Sequence, residues 1–235
     1  MEFIKKESIQ RLAKDVKDII KNPLDENNIF YKHDDENILK GYALIIGIEN
    51  TPYYGGYYFF NFDFPNDYPY TPPKLTFLSN NDNIRYNPNL YRTGKVCLSI
   101  LNTWRGESWT SCQTIRTILL TLCTILNDRP LLNEPGINEK NKDCSVYNEI
   151  IFYKNIENNI LGIMQKKFNH INNHYALFEK YILKNFKDNF EKLKNIIKEK
   201  KHEKSKLLRT DMYNMAVNIN YNNLYKNFIK NKIEK

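Results

Sequence analysis

The stretch GYYFFNFDFPNDYPYTPPKLTFLS, residues 56–79, restricts the fold of this chain more than any other segment of similar length. It begins with aromatic residues in a pattern typical of a strand and ends with KLTFLS, a second short strand. Between them lie four prolines within the nine residues 65–73. Proline excludes a helix there, and its missing amide donor excludes a central strand. The stretch therefore predicts two strands joined by a rigid, irregular segment.

Residues upstream add another strand and a helix. ILKGYALIIGI, residues 38–48, is typical of a strand, and the Pro- and Gly-containing loop ENTPYYGG joins it to the aromatic strand. Polar residues dominate residues 22–37. Apolar residues near helical spacing predict an amphipathic helix over residues 2–21: Phe3, Ile4, Ile9, Leu12, Val16, Ile19 and Ile20.

Residues downstream predict further helices. TSCQTIRTILLTLCTIL, residues 110–126, has the period of a helix, with Thr110 or Ser111 as its N-cap. A long loop follows, and from Val146 the pattern is helical to the end, with a stripe of aromatic and aliphatic residues over 171–197 and a less regular final helix over 213–228. A helix, antiparallel strands, an irregular segment and then helices indicate an α+β fold.

Charge divides the chain near residue 145. Residues 1–145 contain 17 Lys and Arg against 18 Asp and Glu, whereas residues 146–235 contain 18 against 9. We therefore predict a core domain over 1–145 and a basic helical extension over 146–235. The extension could attract an acidic partner or nucleic acid, but its charges alternate with regularly spaced apolar residues and no Arg cluster or recognition motif is present. Solvated helix faces are the stronger interpretation.

Cysteine and histidine patterns bear on compartment and cofactors. No C-x-x-C pair occurs, and the four histidines are not spaced for zinc binding, so no metal or other cofactor is expected. The N-terminal residues do not resemble a signal peptide, and we expect free thiols in the cytoplasm, the nucleus or both. Cys123 is interpreted as a core residue, Cys112 is not assigned a chemical role, and the role of Cys144 is left open.

The stretch NPNLYRTGKVCLSIL, residues 87–101, contains the best candidate for chemistry, Cys97. Gly94 permits a turn with positive φ, and Pro88 lies between two asparagines that can bond the backbone locally. Lys95 favours the thiolate, which is the nucleophilic form of cysteine. These residues predict an exposed, reactive thiol, but they leave open a second interpretation, in which Cys97 is a small core hydrophobe.

Five motifs, in order over about 85 residues, resemble the ubiquitin-conjugating enzyme family. YYGGYYFF is similar to its Gly-Gly hairpin, and FPNDYPYTPPK to its F-P-x-x-Y-P-x-x-P-P-K segment. NPNLYRTGKVCLSIL resembles the active-site stretch H-P-N…G-x-I/V-C-L, with the same eight-residue step from Asn to Cys. W-T-S and LLNEPG resemble the loops before and after the central helix. The resemblance implies the family's fold: an N-terminal helix, a four-stranded antiparallel sheet, the active-site segment and a central helix.

The same resemblance implies a transferase that forms a thioester. Cys97 would accept ubiquitin or a ubiquitin-like protein from an activating enzyme and pass it to a substrate lysine, with or without a ligase. Asn89 would stabilise the oxyanion or hold the active-site loop, although a local turn cap is an alternative. Glu134, where the family usually has Asp, would help deprotonate the lysine, although it could be an ordinary loop carboxylate. Tyr70, Trp109, Thr110 and Ser111 would bind a ligase or the activating enzyme, together with the first helix.

Several positions depart from the common family pattern. Asn87 replaces the usual His, which is expected to remove a structural hydrogen bond. The segment LNTWRGESWTS makes the spacing from the Cys to the Trp about four residues longer than is usual in the family. These departures and the helical extension are similar to the Z-type branch of the family, which implies a non-standard activating enzyme. Two rival hypotheses are an inactive scaffold, against which the retained Cys97 and Asn89 argue, and an interaction domain in which the thiol is incidental.

Overall fold

The computed structural model describes residues 4–232. Its long helices are α1 (Lys6–Lys21), α2 (Ile115–Ile125), α3 (Asp143–Lys154), α4 (Asn172–Lys200) and α5 (Tyr221–Lys230), and a π-helical segment (Asn155–Gly162) continues α3. Its strands are β1 (Ile29–His33), β2 (Lys40–Ile46), β3 (Tyr57–Asp63), β4 (Lys74–Phe77), β5 (Lys206–Thr210) and β6 (Met215–Ile219). None of the helices within 4–232 is both long and apolar enough to span a membrane.

The first four strands form one antiparallel sheet in the order β1-β2-β3-β4. Phe30 pairs with Leu44 and Leu44 with Phe59, so these three residues share one face. The predicted four-stranded sheet and α+β class are confirmed. The fourth strand is β1, which lies in the mainly polar region 22–37. The sequence did not indicate this strand because it has five residues, of which only two are fully buried, and so gives a weak strand pattern.

Helix α4 covers one face of this sheet. The rings of Phe30 and Tyr181 stack with centroids 4.1 Å apart, and the Tyr57 hydroxyl donates a hydrogen bond to the Ile182 carbonyl at 3.2 Å. On the other face Tyr58 contacts Tyr53 and Tyr86. The apolar stripe predicted for the extension is confirmed as the buried face of α4: Tyr175, Phe178, Ile182, Phe186, Phe190, Leu193 and Ile197.

The sequence predicted that the extension is helical throughout, and this prediction is wrong. Residues 206–219 form the β5–β6 hairpin, and only Tyr221–Lys230 of the predicted final helix is helical. Alternate residues of β6, beginning with Met215, are buried, which is the two-residue period of a strand. The three-residue spacing of Tyr213, Ala216 and Ile219 resembled a helical pattern, but Ala216 and Ile219 belong to strand β6.

Two predicted helix starts also need correction. α1 begins at Lys6 rather than at residue 2, and Phe3 lies outside the described residues. α2 begins at Ile115, and its N-cap is Thr114 instead of Thr110 or Ser111. The Thr114 side chain accepts a hydrogen bond from the Thr117 amide, while the Thr117 hydroxyl accepts one from the Thr114 amide, so the two form a capping box.

The two halves defined by charge share a single hydrophobic core. The Tyr147 hydroxyl on α3 donates to the Arg85 carbonyl at 2.7 Å, and the Tyr58 hydroxyl donates to Asn155 Oδ1 at 2.6 Å. α4 in turn packs on α5, with stacked rings of Phe190 and Phe228. Contacts between the extension and the first 145 residues therefore hold the segment that leads to Cys97 as well as the sheet.

Candidate functional site

Cys97 directly follows Val96, which forms a β-bridge with Leu90. Two residues after Cys97, a short 3-10 helix begins at Ser99. Its amide donates to the Asn89 carbonyl at 2.8 Å. Cys97 is 1% exposed, so the expectation of an exposed thiol is wrong for this conformation. The turn residues that suggested exposure do form a turn, with φ of +86° at Gly94, but the chain beyond them runs inward.

Asn89 forms a reciprocal pair with Cys97. Its side-chain Nδ2 donates to the Cys97 carbonyl at 2.7 Å, so the two residues are joined by two hydrogen bonds. Asn89 is buried, and its Oδ1 accepts no hydrogen bond from the described residues. An amide nitrogen carries two hydrogens, so one remains beyond the bond to Cys97. The geometry suits a residue that holds the Cys97 main chain in place.

Asn87 supplies structural hydrogen bonds, contrary to the expectation from the missing His. Its Nδ2 donates to the Tyr53 hydroxyl at 2.9 Å and to the Ile125 carbonyl at 2.7 Å, and its Oδ1 accepts from the Asn89 amide at 2.9 Å. Asn133 Nδ2 also donates to the Ile125 carbonyl, at 3.0 Å. The end of α2, the N-P-N turn and the loop that carries Glu134 are thereby connected.

Glu134 follows the short 3-10 helix Pro130–Asn133 and is partly buried. Its Oε2 accepts a hydrogen bond from the Tyr213 hydroxyl at 2.6 Å. Burial, and then this bond to Glu134, raise the pKa of Tyr213 well above its usual range. The phenol therefore stays protonated and remains a donor. Tyr213 lies in the turn between β5 and β6, and no local pattern in the sequence indicated that it would reach Glu134.

Arg85 is a second residue that the sequence interpretation missed. Its guanidinium donates to the Asn87 carbonyl at 3.1 Å and the Pro88 carbonyl at 2.7 Å. The same group lies 3.4 Å from the Tyr91 ring centroid and 5.0 Å from that of Tyr213, which is cation–π geometry with each ring. The only indication of this cluster in the sequence was that Arg85 and Tyr91 lie close to the N-P-N turn. The cluster is complete only in the folded chain, where Tyr213 also contacts Arg85.

The long segment after Cys97 is folded back against it. The Leu98 amide donates to Thr103 Oγ1 at 2.9 Å, and that hydroxyl lies 3.0 Å from the Val96 carbonyl. Further along, the Trp109 amide donates to Asn102 Oδ1 at 2.8 Å. The extra residues between Cys97 and Trp109 therefore form an anchored loop.

The residues of the predicted binding surface lie beside the N-terminal half of α1. Arg11 Nη1 donates to the Ser111 carbonyl at 2.6 Å, and Trp109 Nε1 donates to the Pro69 carbonyl at 2.6 Å. Tyr70 is 63% exposed, and Thr110 and Ser111 are also exposed. Trp109 differs from the other three because it is only 8% exposed, so it anchors the loop from within.

Comparisons with known proteins show what this chain is similar to. A family model described as "Ubiquitin-conjugating enzyme" matches residues 11–159. Ubiquitin-conjugating enzyme E2 Z of Homo sapiens is 38% identical over 160 residues, which cover 67% of this chain and 45% of the human protein. The proteins of the same name from Xenopus tropicalis and Danio rerio are each 36% identical over 162 residues, or 68% of this chain and 51% and 49% of theirs. The chain thus matches about half the length of these relatives.

Proposed function

This chain belongs to the ubiquitin-conjugating enzyme family, and from that premise we propose that Cys97 carries ubiquitin or a ubiquitin-like protein as a thioester. The similarity to E2 Z proteins spans the segment that contains Cys97, Asn89 and Glu134. The observation that supports the proposal best is the reciprocal hydrogen bonding of Asn89 and Cys97, which fixes the main chain at the proposed acceptor.

The proposed reaction consists of two acyl transfers. The Cys97 thiolate attacks the thioester carbonyl of the modifier on the activating enzyme; a new S–C bond forms, and the activating enzyme's cysteine leaves as a thiolate. A substrate lysine amine then attacks the Cys97 thioester, an isopeptide bond forms, and the Cys97 thiolate leaves. Thiolates are good leaving groups, which makes cysteine suitable for carrying an acyl group that must be passed on.

Burial of Cys97 adds a requirement to this reaction. A residue that is 1% exposed cannot meet a second protein without movement of its surroundings. The neighbouring loop contains non-glycine and glycine residues with positive φ, at Asn102 (+57°) and Gly106 (+128°). We infer that the loop between Cys97 and Trp109, anchored through Thr103 and Asn102, moves away from Cys97 before charging.

Asn89 and Glu134 have separate proposed roles. Asn89 holds the active-site main chain through one amide hydrogen, and its second hydrogen is free to stabilise the oxyanion that forms during attack by the amine. Glu134 takes a proton from the incoming lysine ammonium, whose unperturbed pKa of about 10.4 keeps it protonated at neutral pH. Hydrogen bonds through Asn133 and Asn87 connect the two segments.

Partners follow from the same proposal. They are the modifier, an activating enzyme of either the standard or a non-standard type, a ligase, and lysine-bearing substrates in the cytoplasm or nucleus. We propose that the exposed residues Tyr70, Thr110 and Ser111, beside α1, form the ligase- or activating-enzyme-binding surface, with Trp109 holding its loop.

A charging assay tests the proposal, with Cys112 as a matched control. The protein is incubated with ATP, ubiquitin and either a standard or a Z-type-specific activating enzyme, and is then run on a non-reducing gel. We expect a thiol-sensitive adduct of one ubiquitin that is lost in Cys97→Ala and kept in Cys112→Ala, although Cys112 is exposed and Cys97 buried. An adduct that persists in Cys97→Ala, or none with any activating enzyme and modifier, would contradict the proposal.

A further inference from the structure

The turn between β5 and β6, residues 211–214, reaches both segments of the proposed site. We propose that Tyr213 is a positioning residue for the acceptor-lysine step, which orients the Glu134 carboxylate and braces the segment that leads to Cys97. The inference rests on the proposed function and assigns the basic extension a part in it.

The first contact is to Glu134. The Tyr213 hydroxyl donates to Oε2 at 2.6 Å, a charge-assisted hydrogen bond to a partly buried carboxylate. A free glutamate side chain has several rotamers, and this bond selects one of them. Oε1 is then left to receive the proton of the lysine ammonium. Positioning of the base matters because proton transfer requires heavy-atom distances of about 2.6–3.2 Å.

The second contact is to the segment that leads to Cys97. Arg92 Nη2 donates to the Tyr213 carbonyl at 2.5 Å. The Tyr213 and Tyr91 rings both contact the buried guanidinium of Arg85, which in turn donates to the Pro88 carbonyl of the N-P-N turn. One residue of the extension therefore contacts the segments on both sides of the proposed reaction.

The backbone of the turn is held in an uncommon conformation for these contacts. Tyr213 has φ of +61° and Asn214 has φ of +48°, which lie in the left-handed region that non-glycine residues adopt infrequently. The turn is fixed by a hydrogen bond from the Met212 amide to the buried Asp143 carboxylate at 2.7 Å, and by an ion pair between Asp211 and Lys142. Strained residues persist only where the surroundings determine their conformation.

The consequence for the reaction is specific to lysine. The lysine ammonium first gives a proton to Glu134 Oε1, which passes it to solvent. The neutral amine nitrogen then bonds to the thioester carbon and loses a second proton to solvent, while the C–S bond to Cys97 breaks and the thiolate leaves. Loss of the Tyr213 hydroxyl therefore slows the reaction of an amine that must first be deprotonated more than the reaction of a nucleophile that is already neutral. Hydroxylamine is such a nucleophile at neutral pH.

Single-turnover discharge tests this inference. The full chain and Tyr213→Phe are charged with ubiquitin, the activating enzyme is stopped with a chelator of Mg²⁺, and discharge is followed with free lysine and with hydroxylamine. We expect the lysine-to-hydroxylamine rate ratio to fall about tenfold in Tyr213→Phe, because general-base catalysis contributes about 10²–10⁴ and orientation is a part of it. Tyr225→Phe on α5 is the matched control and keeps the ratio of the unaltered protein.

A comparison with Glu134→Gln separates positioning from general structural damage. If the hydroxyl acts through the carboxylate, the double variant discharges to lysine no more slowly than Glu134→Gln alone. An unchanged ratio, a faster lysine discharge in Tyr213→Phe, or additive losses in the double variant would each overturn the inference. If the protein charges on Cys97 and shows one of these results, only the positioning role of Tyr213 is refuted. If it fails to charge, the proposed function is refuted, and this inference with it.

Discussion

Replacing Phe178 by alanine tests whether the extension and the sheet unfold as one unit. Phe178 lies on α4 and is 0% exposed, and its ring centroid is 6.4 Å from that of Phe59 on β3. One turn later, the Ile182 carbonyl accepts the hydrogen bond of the Tyr57 hydroxyl. The substitution therefore opens a cavity at the interface between a residue of the extension and the centre of the four-stranded sheet.

The magnitude follows from the loss of a buried aromatic ring. Phe→Ala in a core lowers the free energy of unfolding by about 3–5 kcal/mol. The higher helix propensity of alanine offsets this by about 0.5 kcal/mol. For a chain of about 150–250 residues, each kcal/mol shifts Tm by about 2–4 °C, so we expect Tm to fall by roughly 5–18 °C.

The two tryptophans make the assay selective. Trp104 and Trp109 both precede residue 145, so their fluorescence reports on the front part of the chain, whereas far-UV circular dichroism also reports on α4 and α5. We expect both signals to show one coincident transition that shifts equally in Phe178→Ala. Leu183→Ala changes a position on the same helix that is 36% exposed. It should lower the free energy of unfolding by less than about 1 kcal/mol. A fluorescence midpoint that stays constant while the circular dichroism midpoint falls would refute the single shared core.

Two further perturbations test polar groups. Asn87→Ala removes the acceptor of the Asn89 amide and a donor to the Tyr53 hydroxyl, so we expect urea denaturation to show a loss of about 1–3 kcal/mol; a loss below about 0.5 kcal/mol would contradict the assigned bonds. Burial lowers the pKa of His33 and of His174. Below the unfolded pKa of about 6.5 the unfolded chain therefore binds protons that the folded chain does not, and stability falls on acidification. Urea midpoints between pH 7 and 5 should depend less on pH in His174→Gln, and an equal or steeper slope would contradict this sign.

Secondary structure was predictable from the sequence where one long face is buried uniformly. α4 lies along the sheet, so its apolar residues keep the helical period over 171–197. Short strands carry less information. β1 has five residues in a polar region, and the spacing of Tyr213, Ala216 and Ile219 imitates a helix although Ile219 belongs to an alternating strand. Tertiary pairing, which local periodicity does not encode, determines these elements.

The candidate site divides in the same way. Asn89 and Cys97 are eight residues apart and bond each other within one local turn, so motif spacing is sufficient to find them as a pair. The exposure of Cys97 was not predictable, because it depends on how the following loop folds back through Thr103. Tyr213 is separated from Glu134 by 79 positions and from Arg92 by 121, so only the folded extension brings them together.

The role of α4 and of the 211–214 turn determines how this site can be studied. A fragment that ends at residue 145 would retain Cys97, Asn89 and Glu134. It would also expose the sheet face that bears Phe30, Tyr57 and Phe59, which α4 covers in the full chain, and an exposed apolar sheet face favours aggregation. Loss of activity in such a fragment would thus report unfolding or aggregation as readily as a missing contact. Single-atom changes such as Tyr213→Phe keep the shared core, and they are the changes that can assign a catalytic function to the extension.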